Sequence, residues 1–408
     1  MGKKIKAAAR RAPVSAGKTK DAPAGGKWKD AATAAVILLI TLLVIVIINS
    51  LHYNKYSSGM AGATVNYEIC RVVEVTAESL QDSGHQRGLM TGSQTLKVKL
   101  LTGKHRGETV TASNALSTYN SVVGKAGKYL VVNVDELDSG EFQVRVFNYY
   151  RAGFIYLMAL LFLGALILVG GKKGLMSGFG LIYTFLCVLL VFLPLILRGY
   201  SPVWAAILLV VMVTTASMVF LNGAGKKSLC AVLGTILGVV LSGVILFIFG
   251  AVMHISGYST DEAEDLLFIG QTTGLKVRDL LFSGILIASL GAIMDTAMSI
   301  VSSITEFHLN MPGMKTTALI KAGMNVGKDM IGTMSNTLIL AFTGTSLNMI
   351  ILLYSYSVQF NQLLNMNTIA IEITQALAGS LGIILTVPLT AVITANIYGK
   401  KGTVRRNK

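Results

Sequence analysis

Apolar runs of about 18 or more residues recur between residues 32 and 398, and no other feature restricts the fold of this chain so severely. A run of that length with almost no charge crosses a bilayer as a helix, because a helix satisfies every backbone polar group from within. Composition agrees: of 408 residues 53% are hydrophobic and 13% charged, with a mean hydropathy of +0.64. A soluble domain carries about twice that charged fraction. The runs mark about eight spans, near 32–50, 153–170, 176–197, 203–221, 229–253, 281–304, 331–353 and 377–398. The expectation is an α-helical membrane protein whose bundle occupies 153–400, with a signal-anchor helix at 32–50.

Orientation follows from the placement of Lys and Arg in the short connections. Lys172, Lys173, Lys226, Lys227, Lys315, Lys321 and Lys328 fall on one side, together with the basic tails 1–31 and 401–408. The opposite short connections offer Arg198, Lys276 and Arg278. Both termini are therefore expected in the cytoplasm of a bacterial cell, and residues 51–152 outside it. The net charge of +15 reads as topology, plus contact of the tails with anionic lipid headgroups, rather than as nucleic-acid binding, since no recognition motif accompanies it. The 1–31 tail has the composition of a disordered segment. Ala61-Gly62-Ala63 lies too far beyond the first apolar run for typical signal cleavage, so an uncleaved anchor is expected.

Residues 51–152 have a different grammar. TVNYEICRVVEVT, SQTLKVKLLTG, ETVTAS, YLVVNVDE and FQVRVFNYY are rich in Val, Thr and aromatics, partly alternating, and separated by Gly and polar turns. They predict a small β-barrel of OB-like character, inserted after the first helix. Such a domain either contacts a ligand or the cell wall, or braces the helices or assists assembly. Cys70, Cys187 and Cys230 are scattered and the five histidines dispersed, so neither a disulfide within the external domain nor a metal site is expected.

The sixth span, SGILIASLGAIMDTAMSIVSSITEF, carries Asp295 near its middle. Gly284, Ala288, Gly291, Asp295, Ser299, Ser302 and Glu306 follow at three- and four-residue steps and share one helix face. Small residues suit close helix approach, and a polar face suits the bundle interior, so the stripe is expected inward with Leu286, Ile293, Ile300 and Ile304 on the opposite side. Intramembrane carboxylates mark ion, proton or substrate sites. The alternative is an Asp hydrogen-bonded to nearby Ser and Thr, acting as interhelical glue. The seventh span places Asp329, Thr333, Asn336 and Thr343 on one face and threads Gly323, Gly327 and Gly332 through it, a pattern of glycine-interrupted spans beside a cavity. Asn336 is expected at the depth of Asp295, while Lys328 and Asp329 are expected to reach the interface as snorkelling charges. Asp295, Ser299, Ser302, Thr333 and Asn336 are thus the candidate translocation residues, with Asp329, Lys328 and Glu306 secondary.

Two motifs are decoys. NGAGKKS has Phe220 where a phosphate-binding loop needs its first Gly, and Lys227 where it needs Ser or Thr. A membrane aspartyl protease needs two carboxylates at one depth, and Asp295 stands alone well inside a span, with Glu372 and Asp279 near outer ends. No enzyme activity and no cofactor are expected. Outside the sixth span, Ser259 followed by Glu262 predicts a capping box opening a short acidic helix that bears Asp261, Glu264 and Asp265.

The segments LLFIGQTTGL, GAIMDTAMSI and GKDMIGTMSNTLILAF resemble the pattern of the YibE/F-like bacterial membrane proteins, as does the plan of anchor, external β segment and C-terminal bundle, over roughly 64 to 400. The resemblance implies a permease-like protein and carries over no substrate and no catalytic residue. Two classes of function follow: a permease for an unknown small solute or ion, proton- or ion-coupled through Asp295, or a non-transporting scaffold or sensor whose β domain meets an envelope partner; a homo-oligomer or an envelope protein is the candidate protein partner. A hydrophilic cavity at Asp295 favours the first, and a dry bundle with Asp295 capped by Ser and Thr favours the second.

Overall fold

The computed structural model describes residues 25–50, 65–82, 88–136, 142–260 and 262–399. The basic tails up to residue 24 and beyond 400, Ala61-Gly62-Ala63 and Asp261 lie outside the described residues.

The first helix, α1 (Gly25–Ser50), exposes mainly apolar side chains between Val36 and Ile47. Its polar anchor is Thr41, whose hydroxyl lies 2.7 Å from the Tyr183 hydroxyl. Five strands follow: β1 (Val65–Asp82), β2 (Met90–Leu100), β3 (Thr109–Leu116), β4 (Tyr129–Glu136) and β5 (Phe142–Tyr149). They close in the order β1-β2-β3-β5-β4, with β4 pairing back to β1. This is the five-stranded arrangement of an OB-like barrel. Alternation dictates the inside. Leu96, Val98 and Leu100 of β2 and Leu130, Val132 and Val134 of β4 point inward with Cys70 and Val72, all 0–1% exposed. β1 is long enough to pair with both neighbours because it is irregular at Val72/Glu74 and Val75/Ala77, where bulges bend it. The strand extends past the expected run because its polar end, through Asp82, still pairs with Met90. Inside, Asn114 donates to Gln94 Oε1 at 3.0 Å and to the Val122 carbonyl at 2.7 Å, while Gln94 Oε1 accepts from Gly124 N–H at 2.8 Å. These bonds pin the connection between β3 and β4 across the barrel.

The remaining chain is helical: α2 (Ala152–Cys187), α3 (Leu193–Leu197), α4 (Pro202–Asn222), α5 (Lys226–Val252), α6 (Ala263–Thr273), α7 (Leu280–Asn310), α8 (Thr316–Thr345), α9 (Leu347–Ser355), α10 (Phe360–Asn365) and α11 (Asn367–Gly399). Six segments are long and apolar enough to cross a membrane, and a seventh if α8 and α9 count as one span. One of the six, Ala152–Leu197, would measure roughly 69 Å as a straight helix, more than twice a hydrocarbon core. It is not straight. Gly171 adopts φ 55°, ψ −133°, and Gly174 sits so close to the Leu166 carbonyl that no side chain would fit, so the chain folds back there. The same segment carries a π-helical turn, Val188–Phe192, just ahead of Pro194, whose missing N–H and ring displace the regular bonding.

Helices α4, α5, α7, α8 and α11 share the core. Gly238 of α5 and Gly382 of α11 flank Ile293 of α7, and a Cβ at either would lie 3.0 Å from one of its methyl groups. Two sequence expectations are corrected. The helix expected to open at Ser259 begins at Ala263 instead, with no side-chain cap, and Thr260 is bonded to the Gly257 carbonyl at 3.0 Å. Ser259 belongs to a short 3-10 turn, Gly257–Ser259, so no capping box forms. Helix α8 also runs unbroken through Gly323, Gly327 and Gly332. Gly323 packs on Ile304 and Gly327 on Val387, so those two glycines serve close packing rather than interruption. The break comes at Ser346, where α9 leaves α8 at 62°.

Candidate functional site

The stripe around Asp295 is present, on the side opposite to the one expected. Ile293 and Ile300 are fully buried, Ile304 likewise, and Leu286 is nearly so. Asp295 lies two residues beyond Ile293, about 200° around the helix, and so points away from the core. Gly284, Ala288, Gly291, Asp295 and Glu306 are exposed, and Ser299 and Ser302 are half-buried. Beside Gly284 and Gly291 there is open space. The expectation that this face lines the bundle interior is therefore corrected. In lipid no hydrophobic force sorts Ile from Gly, and here the bulky side fills the core among glycines of α5 and α11.

Helix α8 behaves alike. Its buried residues are Leu319, Gly323, Gly327 and Leu338, whereas Lys328, Asp329, Gly332, Thr333, Asn336, Thr337 and Thr343 are exposed. The antiparallel register of α7 and α8 follows from two contacts. Ile304 lies against Gly323, and Ser289 and Leu338 both lie against Gly379 of α11. Between those levels Asp295 falls opposite Gly332 and Thr333, and Asn336 falls one turn away, opposite Gly291. Asn336 is thus displaced from the expected depth, and Thr333 takes its place. Lys328 lies level with Ser299, further into the span than an end-of-helix charge.

Hydrogen bonding leaves the two faces unsatisfied. Thr333 bonds weakly to the Met330 and Asp329 carbonyls at 3.2 and 3.3 Å, and Thr337 to the Thr333 carbonyl at 2.8 Å. Among the described residues, no hydrogen bond or ion pair involves the Asp295 carboxylate or the Asn336 amide. Asp295 is neither capped by Ser and Thr nor enclosed. The arrangement is a strip of carboxylate, amide and hydroxyl groups at membrane depth on the outside of the protomer. Among the described residues no three His, Cys, Asp or Glu side chains come together in a way that would hold a metal ion.

Glu372, which the sequence places only near the outer end of a span, and Ser346 are polar groups that the sequence does not single out as a site. A cavity of about 310 Å³ opens where α8 breaks into α9, lined by Thr343, Ser346 and Glu372 among apolar side chains of α8, α9 and α11. Glu372 Oε2 and Ser346 Oγ are both buried there without a partner. The bend at Ser346 follows Gly344, Thr345 and Ser346, a run of turn-forming residues that falls inside an apolar span.

Residues 158–400 match the family model described as YibE/F-like protein. No curated protein and no solved structure matches the chain. The matched stretch begins within α2 and includes α7 and α8, whereas the barrel lies outside it, so the resemblance expected from residue 64 is found from residue 158. With more than half of its length inside that match, and with several helices apolar enough to cross a bilayer, this chain is a membrane protein belonging to the YibE/F-like family.

Proposed function

We propose that the chain is a multi-pass permease in which the outward polar faces of α7 and α8 line the route of a small solute or ion. The observation that carries this reading is the position of Asp295 at mid-helix on a face that is exposed among the described residues. A charged Asp at the centre of a span costs about 2.5–3.5 kcal/mol on insertion scales, so such a face is kept for water, an ion or a protein partner rather than for acyl chains. Thr333 and Asn336 supply hydrogen-bonding groups to either protonation state of the carboxyl, which is what proton or ion coupling requires. Ser299, Ser302, Lys328, Asp329 and Glu306 continue the polar strip toward one end.

In this reading the chain crosses a bacterial plasma membrane eight times, because the fold-back at Gly171 divides one long segment into two crossings and α8 with α9 makes another. Both termini and Lys172, Lys173, Lys226 and Lys227 then face the cytoplasm, close to anionic headgroups, and the barrel faces outward. Cysteine replacing Tyr119 would label in intact cells, and cysteine replacing Lys172 only after permeabilisation; the reverse pattern contradicts the orientation.

A scaffold or sensor role is the second reading. It is favoured by the exposed aromatics on the barrel surface, where Tyr67 and Phe147 meet edge-on at 4.9 Å and Tyr119 and Tyr129 stand open. A screen of ion and metabolite flux in proteoliposomes separates the two. The permease reading requires a flux that Asp295→Asn abolishes and Asn336→Leu reduces, with the protein still folded. An Asn variant with full flux removes Asp295 from the mechanism.

A further inference from the structure

We propose that a second copy of the chain covers the outward face of α7 and α8, so that the polar strip is completed between two protomers. The inference rests on reading that strip as the working surface, and the test below separates the two. Three observations select the occupant. First, a mid-span carboxylate and an unbonded amide on one open face exclude acyl chains as the cover. Second, no described residue lies within 4 Å of a Cβ built at Gly284, Gly291 or Gly332 on that face, and α1 packs elsewhere, on α4 and on the turn after α2. Third, the face is complementary to itself. It presents small residues with open space, at Gly284 and Gly291 beside Ala288, next to the acceptor Asp295 and the donors Thr333 and Asn336.

Copies inserted in the same direction are related by a two-fold axis along the membrane normal, so groups of equal depth meet. Within a protomer Asp295 is level with Thr333, and Gly291 with Asn336. The carboxylate of one copy therefore reaches the α8 hydroxyl of the other, while the Gly284–Ala288–Gly291 stripes allow the two α7 helices to approach closely. The small residues that leave the protomer open are then the contact itself, which explains why no described side chain fills the space beside Gly284 and Gly291.

The test uses the full chain in native membranes, with Cys70, Cys187 and Cys230 replaced. Cysteine introduced at Ala288 or Gly291 is expected to give a covalent dimer under mild oxidation, while cysteine at the lipid-exposed Trp204 or Phe247 gives none. Gly291→Leu, which meets open space inside the protomer, is expected to leave folding intact and weaken dimerisation by about tenfold or more, read by native mass spectrometry. A protein that is monomeric in lipid nanodiscs and forms no cross-link at either position overturns the proposal. So does dimerisation unaffected by Gly291→Leu. A dimer whose flux survives Asp295→Asn upholds the interface and sinks the permease reading. Flux lost with Asp295→Asn in a monomeric protein does the opposite.

Discussion

The barrel and the helix α7 both carry a regular two-faced pattern, yet only one of them reveals its inside by polarity. In β2 and β4 the alternating apolar residues are the buried ones, because water on the outer surface drives Leu96, Val98, Leu130 and Val132 inward. In α7 the face with the small and polar residues is the open one, and the face with Ile293, Ile300 and Ile304 is the core. Lipid is as apolar as isoleucine, so burial there follows shape: bulky side chains fit against Gly238 and Gly382. A polar stripe in a span marks a place where something other than lipid must sit, without stating whether that is this bundle or another molecule.

The contrast yields predictions of decreasing size. Truncation of a fully buried barrel residue, Leu96→Ala, is expected to destabilise the barrel by about 2–5 kcal/mol, seen as faster hydrogen exchange across β1 to β5. Exchange at the native rate would mean that the barrel core is not where alternation puts it. In the bundle, Ile293→Asn places an unpaired amide between Gly238 and Gly382 and is expected to cost about 1–3 kcal/mol in thermal unfolding of the solubilised protein.

A pH effect sharpens the barrel side. Burial pushes the Cys70 thiol from its ordinary 9.0 up to about 12. The folded barrel keeps a proton that the unfolded chain releases, so this contribution is complete below about pH 9 and is lost as the pH rises toward about 12. Alkaline unfolding of the wild type should therefore be steeper than that of Cys70→Val over this range, and equal slopes would place the thiol in contact with water. The smallest effect is expected at Asp295 itself. Since no bond among the described residues uses its carboxylate, Asp295→Leu should change the stability of dissociated protomers by no more than about 0.5 kcal/mol. A large loss would restore its role as interhelical glue.

Much of this architecture was legible. The strands fell where Val, Thr and aromatics alternate, and most helices where apolar runs exceed a bilayer. Legibility ended where a feature depends on partners distant in sequence. The orientation of α7 depends on Gly238 and Gly382, which are far from it in sequence, and the break at Ser346 follows a short Gly344-Thr345-Ser346 run that the apolar residues on either side conceal. The glycines of α8 misled for the same reason, since Gly323 and Gly327 are explained by Ile304 and Val387 rather than by a flexible backbone. The stripe itself was found correctly, and its direction was not.

That direction is open to one measurement. At Gly379 of α11 a Cβ would lie 3.5 Å from the Cβ of Ser289, within the range of a disulfide. In a background free of native cysteines, Ser289→Cys combined with Gly379→Cys should therefore form a bond within one chain on mild oxidation. Ala288→Cys combined with Gly379→Cys should form none within the chain, because Ala288 belongs to the open stripe. An intrachain bond from Ala288 and none from Ser289 would turn α7 around, returning Asp295 to the interior of the bundle and removing the basis for an outward polar face.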